Sequence, residues 1–113
     1  MTHKYSYKFA PVLGALYIVP KIGAMKNLRL SIHSDQHQHL REIFIAQRKS
    51  LGLSQRALAE RLGVVYSFVG KVETGDRRLD VFEFIVYCQG LQLDPVKVLM
   101  DLQNMLKVEA LEK

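Results

Sequence analysis

Apolar residues recur at three- and four-residue intervals through most of this chain, the spacing that gathers them on one face of a helix. Leu40, Ile43 and Phe44 open such a stripe, Gln47 and Leu51 continue its register, and Gly52 closes it. Ser34 or Asp35 can accept from the first free amides, so a helix is predicted to begin there. Ser54 caps a second helix over about 55–62 with Leu58, Ala59 and Leu62 inward, and Gly63 stops it. Val64 is placed to plug the core before a third helix that starts near Tyr66. That helix buries Val69 and Val72 and leaves Tyr66, Ser67, Phe68, Gly70 and Lys71 largely outward. Gly75 ends it, and Asp76, Arg77 and Arg78 form an exposed loop.

Asp80 and Glu83 have the spacing of an acidic capping box for a fourth helix, with core positions expected near Phe82, Ile85, Val86 and Cys88 and an end at Gly90. Asp94 caps a fifth helix with Pro95 in its first turn, the position that tolerates proline best. Val98, Leu99, Leu102, Met105 and Leu106 then carry an apolar stripe toward Leu111. Short connections between five helices predict an all-α domain over residues 35–113.

Residues 1–34 follow a different rhythm. Tyr5, Tyr7 and Phe9 alternate, Leu16 to Val19 is a β-prone run, and Leu28, Leu30 and Ile32 alternate with polar residues. Pro11, Gly14, Pro20 and Gly23 exclude a long helix, so this segment is expected to be an arm, or a short strand or hairpin packed on the helices. Charge separates it too. It carries Lys4, Lys8, Lys21, Lys26 and Arg29 and no acid, whereas beyond it eleven cations meet eleven acids, within a net charge of +5. A basic arm on a balanced domain suits an anionic partner such as nucleic acid.

No apolar run reaches the length of a membrane span, and the apolar segment Phe9–Val19 is interrupted where an export signal needs a continuous helix. The single cysteine, Cys88, cannot form an internal disulfide and is expected in the core, which makes the cytoplasm the default compartment. His33 and His37 have the spacing of a helical metal pair beside His39. The helix is predicted to start between them and no cysteine joins the cluster, so no metal is expected. Without a Gly-rich phosphate loop, a nucleophile elbow or a paired-acid motif, the chain reads as a non-enzyme with no cofactor.

Two helices joined by a short glycine turn form a helix-turn-helix, in which the first braces and the second is presented. The presented helix, residues 66–74, offers Tyr66, Ser67, Phe68 and Lys71 within its first two turns. A major groove admits one helix, a serine hydroxyl and a lysine can bond base edges there, and an aromatic ring can lie on a thymine methyl. The amides that open the second helix, with Gln55 and Arg56, make an anion-binding end suited to phosphate. The fifth helix's stripe extends beyond what a four-helix core needs, which predicts a homodimer through it or, alternatively, a helix that completes the monomer's own core.

The strings LGLSQRALAERLGV at 51–64 and SFVGKVETGDRRLDVFEFI at 67–85 resemble the lambda-repressor-like, Cro-type (XRE) helix-turn-helix family, and the likeness extends from about Leu40 to Leu99. The resemblance implies a regulator of transcription that binds double-stranded DNA, a repressor in the common case. It implies that Gln55 touches phosphate and steadies the reading helix, that Tyr66, Ser67 and Lys71 face bases with Phe68 beside them, and that Thr74, Arg77 and Arg78 lie in a phosphate-contacting loop. It also implies an Arg48–Glu73 pair joining the first helix to the third. Val65 departs from the serine or threonine usual at the third helix's cap, Tyr66 from the common glutamine, and Gly70 weakens the helix. The alternative function is an antitoxin-like interaction module whose main partner is a protein, docked through the N-terminal arm or the fifth helix.

Overall fold

Ser34 starts the first helix by accepting from the His37 N–H at 3.4 Å. The computed structural model describes the backbone of residues 34–112 and the side chains as far as Leu106. The expected N-terminal arm, strand or hairpin, and His33, lie outside the described residues. Among those described there are helices and no strand: α1 (Asp35–Ser50), α2 (Gln55–Leu62), α3 (Tyr66–Thr74), α4 (Val81–Gly90) and α5 (Pro95–Glu112).

Local chemistry sets these bounds. The Ser54 hydroxyl accepts from the Ala57 N–H at 3.0 Å and starts α2. Gly63 takes a left-handed φ of 76°, which turns the chain so that the Val64 N–H reaches the Ala59 carbonyl at 3.0 Å. Asp80 and Glu83 cap each other's amides at 2.8 and 2.9 Å, the reciprocal box the sequence predicts for α4. Asp94 accepts from the Val96 N–H at 2.9 Å at the start of α5.

The core gathers Phe44 of α1, Leu58 and Ala59 of α2, Val69 and Val72 of α3, Phe84, Tyr87 and Cys88 of α4, then Leu91 and Val98. Phe44 is its centre, with ring centroids 4.7 Å from Tyr87 and 6.2 Å from Phe84. Each such buried aromatic or aliphatic side chain contributes roughly 1.5–3 kcal/mol. Burial pushes the Cys88 thiol up to about 11, with the Asp94 charge adding to the shift, and raises the Tyr87 phenol above its ordinary range.

The register of α4 differs from expectation. Phe84, Tyr87, Cys88 and Leu91 face inward, Ile85 is half-buried, and Phe82 and Val86 are 79% and 52% exposed. VFEFIVYC is apolar on nearly every face, so periodicity alone allowed two inward faces. Cap and tertiary packing chose between them. In α5 the expected stripe divides: Val98 is buried, Leu102 and Met105 are half-buried, and Leu99 and Leu106 are exposed with Val96 and Met100.

Gly90 is the last residue of α4 rather than its stop. A methyl there would stand 2.6 Å from Leu62 Cδ2, so Gly90 lets α2 and α4 approach closely. The left-handed residue comes two positions later, at Gln92, with φ 59°. No basic residue lies in α4's last turn; the backbone amides of residues 91–93 meet the carbonyls of Tyr87, Cys88 and Gln89, and the last two carbonyls are met from neighbouring helices. Gln47 donates to Leu91 O at 2.8 Å and Arg61 to Gly90 O at 3.0 Å. Gln92→Gly is expected to raise unfolding stability by about 0.5–1 kcal/mol by relieving the left-handed strain, read as a higher urea midpoint at unchanged slope.

Candidate nucleic-acid interface

Glu73, near the end of α3, is where the two supporting helices meet the presented one. Arg48 of α1 donates from Nε at 2.6 Å and from Nη2 at 3.1 Å to its two oxygens. Gln55 of α2 donates from its amide at 2.9 Å. The remaining Arg48 fork reaches the Leu53 carbonyl at 2.8 Å, in the turn before α2. Arg48 and Glu73 are both largely buried, so their charges are compensated by each other and by these bonds. The effect is to fix the height and rotation of α3 against α1 and α2.

With α3 so held, Tyr66, Ser67 and Lys71 stand exposed along one side of its first two turns. The Arg56 guanidinium lies 4.7 Å from the centre of the Tyr66 ring, which orders a long cationic side chain next to the exposed aromatic one. Gln55 combines an exposed position at the start of α2 with its bond to Glu73. Gly70 is half-buried rather than outward, because a Cβ there would come 3.4 Å from Gln55 Oε1. A methyl there would make ordinary contact with the glutamine that braces α3, so the brace does not depend on this glycine.

The structure separates two of the predicted site residues from the rest. Phe68 is half-buried and packs on the edge of the core, so its ring does not project with Tyr66 and Lys71. Arg77 is not a freely exposed loop residue. Its guanidinium lies 4.9 Å from the Phe68 ring centre and bonds Glu83 at 2.7 and 3.2 Å. This pairing holds the Glu83 carboxyl below the usual carboxylate range, with the Asp80 amide helping, and raises the arginine further. Arg78 is exposed beside it. Thr74 Oγ1 sits 3.2 Å from Lys71 O and 3.1 Å from an Asp76 oxygen, so the local turn engages it.

Sequence reasoning expected Gln55 to steady the reading helix without naming Glu73 as its partner, and it missed the Arg77–Glu83 pair. The second had a signal, since a capping-box glutamate two residues into a helix can also face the preceding loop. Among the described residues no cluster of His, Cys, Asp or Glu could hold a metal, and His39 pairs with Asp101 across α1 and α5 at 3.1 Å. No described helix is long and apolar enough to cross a membrane.

A helix-turn-helix family model matches residues 45–98. A solved structure of an XRE-family like protein from Pseudomonas syringae pv. tomato str. DC3000 is 40% identical, covers 74% of this chain and 96% of its own, and superposes with a TM-score of 0.63. The chain belongs to the XRE family. No curated protein matches it. As a member of a DNA-binding regulator family, this XRE-family chain has α2 and α3 as its helix-turn-helix, and the exposed side of α3 is its candidate reading face.

One departure from the family pattern has a direct energetic reading. Val65, at the α3 cap, makes no side-chain hydrogen bond to the helix and is 71% exposed. Val65→Ser in this XRE-family chain is expected to raise unfolding stability by about 1 kcal/mol, measured by denaturant unfolding, because it adds a cap acceptor and gives up little burial.

Proposed function

We propose that this protein is a sequence-specific double-stranded DNA-binding repressor that reads the major groove with α3. The observation that carries the reading is the exposed set Tyr66, Ser67 and Lys71 on a helix fixed by the buried Arg48–Glu73–Gln55 network. A reading helix must be both accessible and held at one angle, and this one is. Gln55, Arg56, Thr74 and Arg78 flank it as phosphate contacts that position the domain without specifying sequence. The protein works in the cytoplasm as a homodimer, with residues 35–113 as the DNA-binding domain. Support for the dimer is the outer side of α5, where Val96, Leu99, Met100 and Leu106 are exposed together.

A second reading, an antitoxin-like module whose main partner is a protein, draws on a different surface. Exposed Phe82 and Val86 rim an apolar groove with Leu62, Val64, Phe68 and Leu79. A partner there would bind with little dependence on salt.

Selection from a randomised duplex pool, followed by salt titration on the enriched and a scrambled duplex, tests the first reading. Affinity for both is expected to fall steeply with salt, and Lys71→Ala to reduce the preference for the enriched duplex by roughly 5- to 100-fold. A flat salt response, or an unchanged preference in Lys71→Ala, defeats it. Sedimentation is expected to give a dimer that Leu99→Glu converts to monomer; a monomer at every concentration, free and on DNA, defeats that part.

A further inference from the structure

Arg77 has the sequence setting of a phosphate contact and the structural setting of something else. Its side chain makes two bonds to Glu83, at 2.7 and 3.2 Å, donates to the Arg78 carbonyl, and covers the Phe68 ring. Its own N–H donates to Lys71 O at 3.1 Å. Glu83 in turn accepts from the Asp80 amide at 2.9 Å while Asp80 caps α4. The pair is partly exposed, and an incoming phosphate would compete for the guanidinium with a charge-assisted fork, an aromatic face and a partner that also holds a helix cap.

We propose that Arg77 is a positioning residue for the reading helix and not a phosphate contact. Clamped to the start of α4 by Glu83, it presses on Phe68, the α3 residue between Ser67 and the core. Glu73 holds α3 from the α1 and α2 side, and Arg77 holds it from the α4 side. Ser67 and Lys71 therefore meet the groove at an angle set partly by a residue that touches no DNA. This role rests on the DNA-binding reading above.

The test uses the full chain with Arg77→Gln, Arg77→Lys, Glu83→Gln and the double variant Arg77→Gln/Glu83→Gln. Glutamine at 83 can still reach the Asp80 amide, so α4 keeps its cap while the pairing with Arg77 is weakened. Lysine at 77 keeps the charge but lacks the planar fork and the flat face that stacks. The expected result is that Arg77→Gln, Arg77→Lys and Glu83→Gln each reduce the preference for the enriched over the scrambled duplex about ten-fold, the effect of one misread base pair. The double variant loses no more than either single one. The salt slope on the scrambled duplex stays at the wild-type value throughout.

A slope lower by about one in Arg77→Gln with preference retained, or full rescue by Arg77→Lys, would make Arg77 a phosphate contact and overturn the proposal. Tighter binding to all duplexes in Glu83→Gln, as for an arginine released to bind phosphate, overturns it equally. A wild-type chain with no salt-dependent affinity for any duplex overturns the DNA-binding reading and this role together, a result distinct from either of those.

Discussion

The arrangement depends first on one carboxylate. Glu73 sits near the end of the presented helix and takes donors from both helices that support it, so three elements share a fixed point beside the core they bury together. Helices of eight and nine residues are marginal alone and take their order from the packing around them, to which these polar bonds add a fixed register. Buried and bidentate, the Arg48 pair is expensive to break, since either partner left alone is a buried charge costing about 3–5 kcal/mol. What it supplies is orientation: sliding α3 by one residue would break every bond to Glu73 at once.

Opposite this point the same helix is steadied by softer means. Phe68 packs on the core's edge, and Arg77 and Glu83 close over it from the loop and from α4. Arg77 faces the protein and Arg78 stands exposed, although the two are adjacent and chemically identical.

The features legible in the sequence were those with a local cause. Ser34, Ser54 and Asp80 act within three residues of themselves, Gly63 answers to one turn, and their helices begin where the chain says. Features decided by distant partners were not legible from pattern. An α4 that is apolar on most sides needs its neighbours to choose the inward face, and Phe82 and Val86 lost that choice to Phe84 and Tyr87. The left-handed turn fell to Gln92 because Gly90 was needed at a helix crossing. In the candidate site, Tyr66, Ser67 and Lys71 followed from helical phase. Arg77 did not, because the capping-box glutamate allows a partner in the loop without saying which cation the fold brings to it, here at 2.7 Å and six residues away in sequence.

Gly90 carries a consequence for how this seam can vary. Since a single added methyl meets Leu62, the side chain at 62 has to swing aside or be smaller whenever 90 is anything but glycine. Arg61, the neighbour of Leu62, also bonds the Gly90 carbonyl, so displacing α2 to make room would stretch that bond. Positions 61, 62 and 90 are thus linked at the crossing: a side chain at 90 is accommodated by Leu62 turning away, while the Arg61 bond keeps the two helices at their present spacing.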